Sequence, residues 1–416
     1  MLSKNQFHQA ETGLFCYSIF MNTPQDFKNT VFHTAIIGAG ASGLMCAGSF
    51  AQSKILIDRN AKFGVKVGVS GGGNCNFSNR FVSAADYLSQ NKHFCKNALA
   101  AFTPQDFVDL LHAEHLPFEE RADGQLFSFG AVPIVQMLVR RAKAAGTQFL
   151  PNTQALDVRL ENGLFTVVTS EGPVRAQHVV LACGGLSFPA LGASNFGFKM
   201  AQKFGLPVVE TRPALVGLTF PKPLQARFRQ LAGSSLSAVV SCGKHAFEGQ
   251  LLFTHEGVSG PAVLQASLYW TPGQSVQIDF LPHINALEYL HAQKNKVHSF
   301  AAALHGKLSA KTAKTLLAPW EGDLPNAPRP QLQAAAQALN HFTFVPAGTA
   351  GYTRAEVTAG GVDTRAINPT TLEARDVPGL YVIGELLDVT GRLGGFNLQW
   401  AWSSGFAAAK ALEKLF

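Results

Sequence analysis

The sequence predicts an α/β protein built on a doubly wound, Rossmann-type sheet, and three observations carry that prediction. An apolar run, His33–Ile37, leads into a GxGxxG turn at Gly38, Gly40 and Gly43. A second apolar run, Lys54–Ile57, ends on Asp58, twenty residues after Gly38. Far downstream, Gln177–Gly185 and Gly379–Glu385 again set a short apolar run against glycine, as further strands of one sheet would.

Each residue of the opening motif has a physical reason. Gly38 permits a tight turn out of the strand, Gly40 removes a side chain where a pyrophosphate approaches, and Gly43 lets a helix pack closely on the sheet. That helix starts near Ala41 and Ser42, and its free N–H groups and positive end favour phosphate. Asp58, followed by Arg59, stands where a carboxylate accepts hydrogen bonds from the adenosine ribose and disfavours a 2′-phosphate.

Composition sets the outer limits. The chain has 416 residues, 47% of them hydrophobic, with a net charge of +7 and a pI near 9.1. No apolar run approaches the roughly 18 residues of a membrane span, so no membrane segment is expected. Six scattered cysteines form no CxxC pair and suggest neither a zinc site nor a disulfide framework, which points to a reducing, cytoplasmic setting. Residues 1–30 read as a poorly ordered extension with Met21 as an alternative start. The basic balance favours a polyanionic partner, with candidate patches at Arg140–Lys143, at Lys222, Arg227 and Arg229, and at Lys307, Lys311 and Lys314.

Periodicity places helices at Phe102–Glu114 and Val132–Ala145. His112 falls within the first and His115 just past its end; with no third ligand nearby, they are read as part of an amphipathic helix region rather than as metal ligands. Short strands are expected at Gln148–Leu150, Ala155–Leu160 and Leu164–Thr169, and a terminal helix at Asn397–Leu415. Between Pro207 and Pro282 short alternating runs with frequent Gly and Pro predict a β-rich part, and 285–340 looks helical. The expected organisation is therefore a discontinuous cofactor domain at 31–205 and 345–416, a β-rich substrate domain at 206–283 with 335–344, and a helical subdomain at 284–334.

Two further glycine-rich segments carry chemistry. Ser70-Gly71-Gly72-Gly73-Asn74-Cys75-Asn76 offers main-chain N–H groups without side-chain obstruction, suited to a phosphate or a ring edge, and Cys75 is its one thiol. Gly384-Glu385 closes a strand where flavin enzymes often set an acid against the ribityl hydroxyls. The segment Thr390–Gln399, with Gly394, Gly395, Asn397 and Leu398, opens the last helix, whose N–H groups suit negative charge on a reduced flavin. His255 and Glu256, beside a glycine turn, are candidate acid/base or substrate groups. There is no Ser–His–Asp order, P-loop, HExxH or second GxGxxG.

Taken together these blocks resemble the YhiN/BaiN-like bacterial NAD(P)/FAD-dependent oxidoreductases, also described as the aminoacetone oxidase family of FAD-binding flavoproteins. The resemblance runs from about residue 33 to the C-terminus and rests on Gly38–Gly43, Ser70–Asn76, Gly184–Ser187, Thr211–Leu215, Leu252–Pro261, Glu356–Asp363 and Gly384–Trp402. It implies one FAD per chain in a two-dinucleotide-binding-type domain, with a β-barrel-like insert and a small helical subdomain. The motif positions, with Lys66, Cys183 and Gly184 added, would hold the cofactor; Asn74 stands where the family usually has Arg, and Val65 where it often has a basic residue. Within the family, the C-terminal block most resembles a ribosomal RNA dihydrouridine synthase subgroup. That implies an enzyme reduced by NAD(P)H as a transient partner, passing hydride to uracil in 23S ribosomal RNA, with Cys75 and His255 as candidate proton donors. The alternatives are an oxidase of a small amine such as aminoacetone using O2, and a non-enzymatic flavin- or RNA-binding module.

Overall fold

Strand β1 (Val31–Ile37) is buried along all but its first residue, which is why it reads as an unbroken apolar run rather than an alternating one. In the computed structural model, which describes residues 27–320 and 322–415, it lies at the centre of a seven-stranded sheet. The expected extension up to residue 26, and Met21 with it, lie outside the described residues. Helix α1 (Ala41–Ala47) returns the chain to β2 (Lys54–Ile57), which runs parallel to β1 and to the strand Thr147–Leu150. On its other side β1 pairs in parallel with Gly172–Leu181.

Gly172–Leu181 is ten residues long and does two jobs. Its first half pairs antiparallel with Leu164–Thr169, which pairs with Ala155–Glu161; its last residues pair in parallel with Leu380–Val382. The alternating exposure of Pro173 and Arg175 explains why only the stretch from Gln177 reads as a buried strand from sequence. The result is a Rossmann-type α/β sheet with an antiparallel edge.

Further helices build the same unit, Phe107 of one packing on Trp402 of the C-terminal helix. Pro104–Ala113 starts two residues later than the periodicity suggests because Thr103 caps it, its N–H donating to Asp106 Oδ2 at 2.7 Å. Ala131–Ala144 follows, and the C-terminal helix Phe396–Glu413 is buried on most sides. The latter anchors through indole N–H groups: Trp400 donates to Gly384 O at 3.0 Å and Trp402 to Phe77 O at 2.9 Å.

The chain divides into two compact units: Pro213–Glu356, and the described residues up to Arg212 with those from Val357 onward. The Pro213–Glu356 unit is built on seven antiparallel strands in the order Phe342–Phe344, Val276–Asp279, Ser235–Cys242, His245–Phe253, Gly257–Ser259, Leu218–Thr219 and Gly348–Thr349. The pairing runs as one path from Phe342–Phe344 to Gly348–Thr349 and does not by itself show the β-barrel-like insert that the resemblance implies. Helices Ala286–Gln293, Ala310–Leu317 and Arg329–Asn340 share one hydrophobic core with the strands, around Phe228, Phe253, Leu316 and Leu339. Among the described residues no helix is long and apolar enough to cross a membrane.

Candidate active site

The turn after β1 is fixed from both sides. Gly38 N–H donates to Ile57 O at 2.8 Å, and its φ of +108° lies in the region glycine favours. A methyl group at Gly43 would run into the carbonyl oxygen of Gly38 and come within 3.3 Å of Ala182 Cβ, so α1 packs directly on the strand end. Gly40 is different: a methyl group there meets nothing within 4 Å, leaving open space over the first turn of α1, where Ala41 and Ser42 lie.

Asp58 directly follows β2 and holds this turn. Its Oδ2 accepts from Ala39 N at 2.7 Å and its Oδ1 from Asn60 N at 2.8 Å. Burial pushes its carboxyl above the usual range, against the two N–H groups and Arg59, which lower it. Each carboxylate oxygen keeps further acceptor capacity. Arg59 is exposed and reaches Gly192 O at 3.4 Å. Cys183 lies beside the turn, its Sγ 3.5 Å from Ile37 O, and burial with the Asp58 charge raises its thiol to about 12.

A second cluster forms around Glu385. Lys66 Nζ donates to Glu385 Oε2 at 2.8 Å, while Thr358 N–H donates to Glu385 Oε1 at 2.9 Å. Thr358 Oγ1 in turn accepts from Leu186 N at 2.8 Å and lies 3.2 Å from Ser187 Oγ. Gly185 fits only because it lacks a methyl group, which would approach Thr358 Oγ1 to 2.5 Å and Glu385 Oε1 to 2.9 Å. Four segments distant in sequence thus meet at one carboxylate, beside Gly184 and Gly384.

The Ser70–Asn76 loop meets the start of the C-terminal helix. Gly71, Gly72 and Gly73 all have positive φ, and methyl groups on Gly72 and Gly73 would face open space. Ser70 Oγ donates to Val67 O at 2.7 Å, and Asn74 is exposed with its carbonyl accepting from Ser128 Oγ at 3.1 Å. At the loop's far end the side-chain amides of Asn76 and Gln125 lie 2.6 Å apart. A methyl group on Gly395 would run into Ser78 O and come within 2.8 Å of Asn76 Oδ1, and Asn79 Nδ2 donates to Gly394 O at 3.1 Å. Asn397 commits its side chain to Gly391, accepting from its N–H and donating to its carbonyl, both at 2.9 Å, while Leu398 is half-buried.

The two candidate proton donors fall in different units. Cys75 is fully buried within the glycine loop, with a positive φ of 45°, and burial raises its thiol to about 11 despite a hydrogen bond with Ser70. His255 is exposed on a turn of the Pro213–Glu356 unit, beside Glu256. Sequence reasoning left out Gln125, and with it the particular contacts that Thr358, Asn79 and Gln399 make. Buried Gln399 joins the loop strand to the helix, accepting from Ser78 Oγ at 2.6 Å and donating to Phe102 O at 2.9 Å. Their signal was proximity to glycine blocks; what they hold depends on contacts across the whole chain.

The open space at Gly40, Gly72 and Gly73, the unobstructed main chain around it and the carboxylate at Asp58 fit an elongated dinucleotide cofactor. A model of the HI0933-like protein Rossmann domain matches residues 32–411. The chain belongs to the HI0933-like family. It is 44% identical over 393 residues to the ribosomal RNA dihydrouridine synthase of Escherichia coli (strain K12), covering 92% of this chain and 98% of that one. Identity to the protein of the same name from Haemophilus influenzae is 41% over 396 residues, 91% of this chain and 98% of the relative. A more distant relative, 3-dehydro-bile acid delta(4,6)-reductase from Clostridium scindens, is 29% identical over 404 residues, 90% of this chain and 98% of that one.

Proposed function

We propose that the protein is an FAD-dependent, NAD(P)H-reduced enzyme that converts uridine to dihydrouridine in large-subunit ribosomal RNA. The observation that carries this reading is the near full-length match to two ribosomal RNA dihydrouridine synthases. The third relative is also named for a reduction, which favours a reductive reaction over amine oxidation.

In this reading Gly38, Gly40, Gly43 and Asp58 hold the adenosine and pyrophosphate part, Glu385 with Lys66 lies along the ribityl chain, and Ser70–Asn76 with Gly394–Leu398 borders the ring. When bound and reduced, FAD supplies hydride equivalents, so that NAD(P)H, a proton and uridine give NAD(P)+ and dihydrouridine. The chain's own part is to position and to protonate. Lys66 neutralises Glu385 and fixes its orientation, while the Asn76–Gln125 pair and the close fit of Gly395 hold the loop rigid against the last helix. Cys75, a candidate proton donor, is a thiol protonated at neutral pH, and burial raises it further to about 11.

Anaerobic mixing of the holoprotein with NADH or NADPH tests the reading. Rapid bleaching of the flavin absorbance, followed by reoxidation on adding unmodified 23S ribosomal RNA, is the expected result. A flavin that stays oxidised with both nucleotides yet bleaches with aminoacetone would overturn it.

A further inference from the structure

Two basic segments that are some eighty residues apart in sequence come together in the Pro213–Glu356 unit. Helix Lys222–Phe228 and the turn after it carry Arg227 and Arg229; helix Ala310–Leu317 carries Lys311 and Lys314. Arg227 joins them, donating from Nη2 to Leu316 O at 2.6 Å and from Nε to Thr315 O at 3.2 Å. It thereby caps the negative end of the second helix. Gln230 Nε2 adds a bond to Thr315 Oγ1 at 2.9 Å. Beneath them Phe228 stacks on Phe253 with ring centroids 5.7 Å apart and lies 5.2 Å from Phe220, so the surface rests on a packed aromatic base.

Above this base is a depression of about 740 Å³ lined by Ala226, Arg227, Arg229, Gln230 and His255. Arg227 is committed to the helix end, whereas Arg229, Lys311 and Lys314 are exposed, as is Lys222 at the start of the first helix. Among the described residues none of Arg229, Lys311 and Lys314 takes part in an ion pair with a carboxylate. The segment from Tyr289 to Trp320 contains no Asp or Glu at all. Apolar anchors are scarce here: among the described residues of this unit Val345 is the one exposed large hydrophobic side chain. A membrane-binding face needs such anchors beside its charge, whereas a phosphodiester backbone needs cations on a rigid support and nothing more.

We propose that this face, centred on Arg229, Lys311 and Lys314 beside the His255 depression, is the docking surface for the phosphate backbone of the RNA substrate. The proposal rests on the RNA reading above and adds a place where the substrate is held. Arg229 and the two lysines contact phosphates without reading bases, which positions the RNA and makes its binding salt-dependent.

The test compares the holoprotein with its R229E/K311E/K314E variant for binding to a 23S ribosomal RNA fragment at several salt concentrations. A charge-keeping variant, R229K/K311R/K314R, and the thermal midpoint serve as fold controls. The charge-reversed variant should bind RNA at least about tenfold more weakly, with a salt slope shallower by roughly one for each phosphate it no longer neutralises. Its NAD(P)H-driven flavin reduction should be unchanged, and the charge-keeping variant should bind like the wild type. Wild-type affinity and salt slope in the charge-reversed variant would overturn the docking surface while leaving the RNA reading intact. A wild-type protein that neither binds nor modifies RNA would overturn both. Displacement of the RNA by polyglutamate or anionic phosphatidylserine vesicles at comparable charge concentration would overturn the assignment to RNA.

Discussion

Gly40 and Gly43 sit three positions apart in one turn and face opposite surroundings, one open space and the other the backbone of Gly38. Gly40→Val should therefore fold normally without cofactor but bind FAD at least about tenfold more weakly, because its side chain occupies the space left for the pyrophosphate. Gly43→Val should lower the thermal midpoint of the cofactor-free protein itself. Flavin titration and calorimetry on the two variants check the contrast, and equal loss of apoprotein stability in both would contradict it. His33 makes a second prediction. It is 6% exposed and lies against His178, the rings tilted with centroids 4.7 Å apart; burial, followed by the charges of His178 and Lys54, lowers it from 6.5 to about 4. Between pH 6.5 and about 4 the unfolded chain binds a proton that the folded chain refuses, so stability is full above this window and falls as the pH drops through it. In His33→Gln, urea unfolding should show a shallower fall across the same window. The motif residues were legible because glycine, acid and strand stand in fixed register. Thr358 as the hydroxyl between Leu186 and Ser187 was not, since only the folded chain brings those segments together.

At the scale of elements, the C-terminal helix shows how a small residue sets a helix position. A methyl group at Gly405 would run into Ser42 O and approach Cys46 N to 3.2 Å, so this helix touches α1 backbone to backbone. Gly405→Val should separate the two helices and lose about 1–3 kcal/mol in urea unfolding, the usual effect of overpacking; an unchanged midpoint would show that the packing there has slack. Strands and helices of the larger unit were readable because a fully buried parallel strand is uniformly apolar and an amphipathic helix repeats its apolar face. Boundaries shifted where capping decided them, as at Thr103. The pairing of the inserted sheet was beyond sequence patterns: Leu218–Thr219 and Gly348–Thr349 lie side by side despite their separation, and each has only two residues. Short strands carry too little alternation to announce their partners.

For the whole molecule the informative quantity is charge and where it falls. Eleven Lys and Arg against seven Asp and Glu lie between 213 and 356, so this stretch holds more than half of the net +7. The patches at 222–229 and 307–314 read as two in sequence, and the folded unit joins them through Arg227. The cofactor-turn geometry and the basic surface are properties of separate units, and both are what reduction of a base within a large polyanion requires. The central claim is the product. Ribosomal RNA from cells lacking the gene, incubated with the purified holoprotein and NAD(P)H, digested to nucleosides and analysed by mass spectrometry, measures it most directly. The account predicts that dihydrouridine, two hydrogens heavier than uridine, appears in the large-subunit RNA only when both protein and reductant are present; its absence in a sample where the flavin is demonstrably reduced would contradict the account.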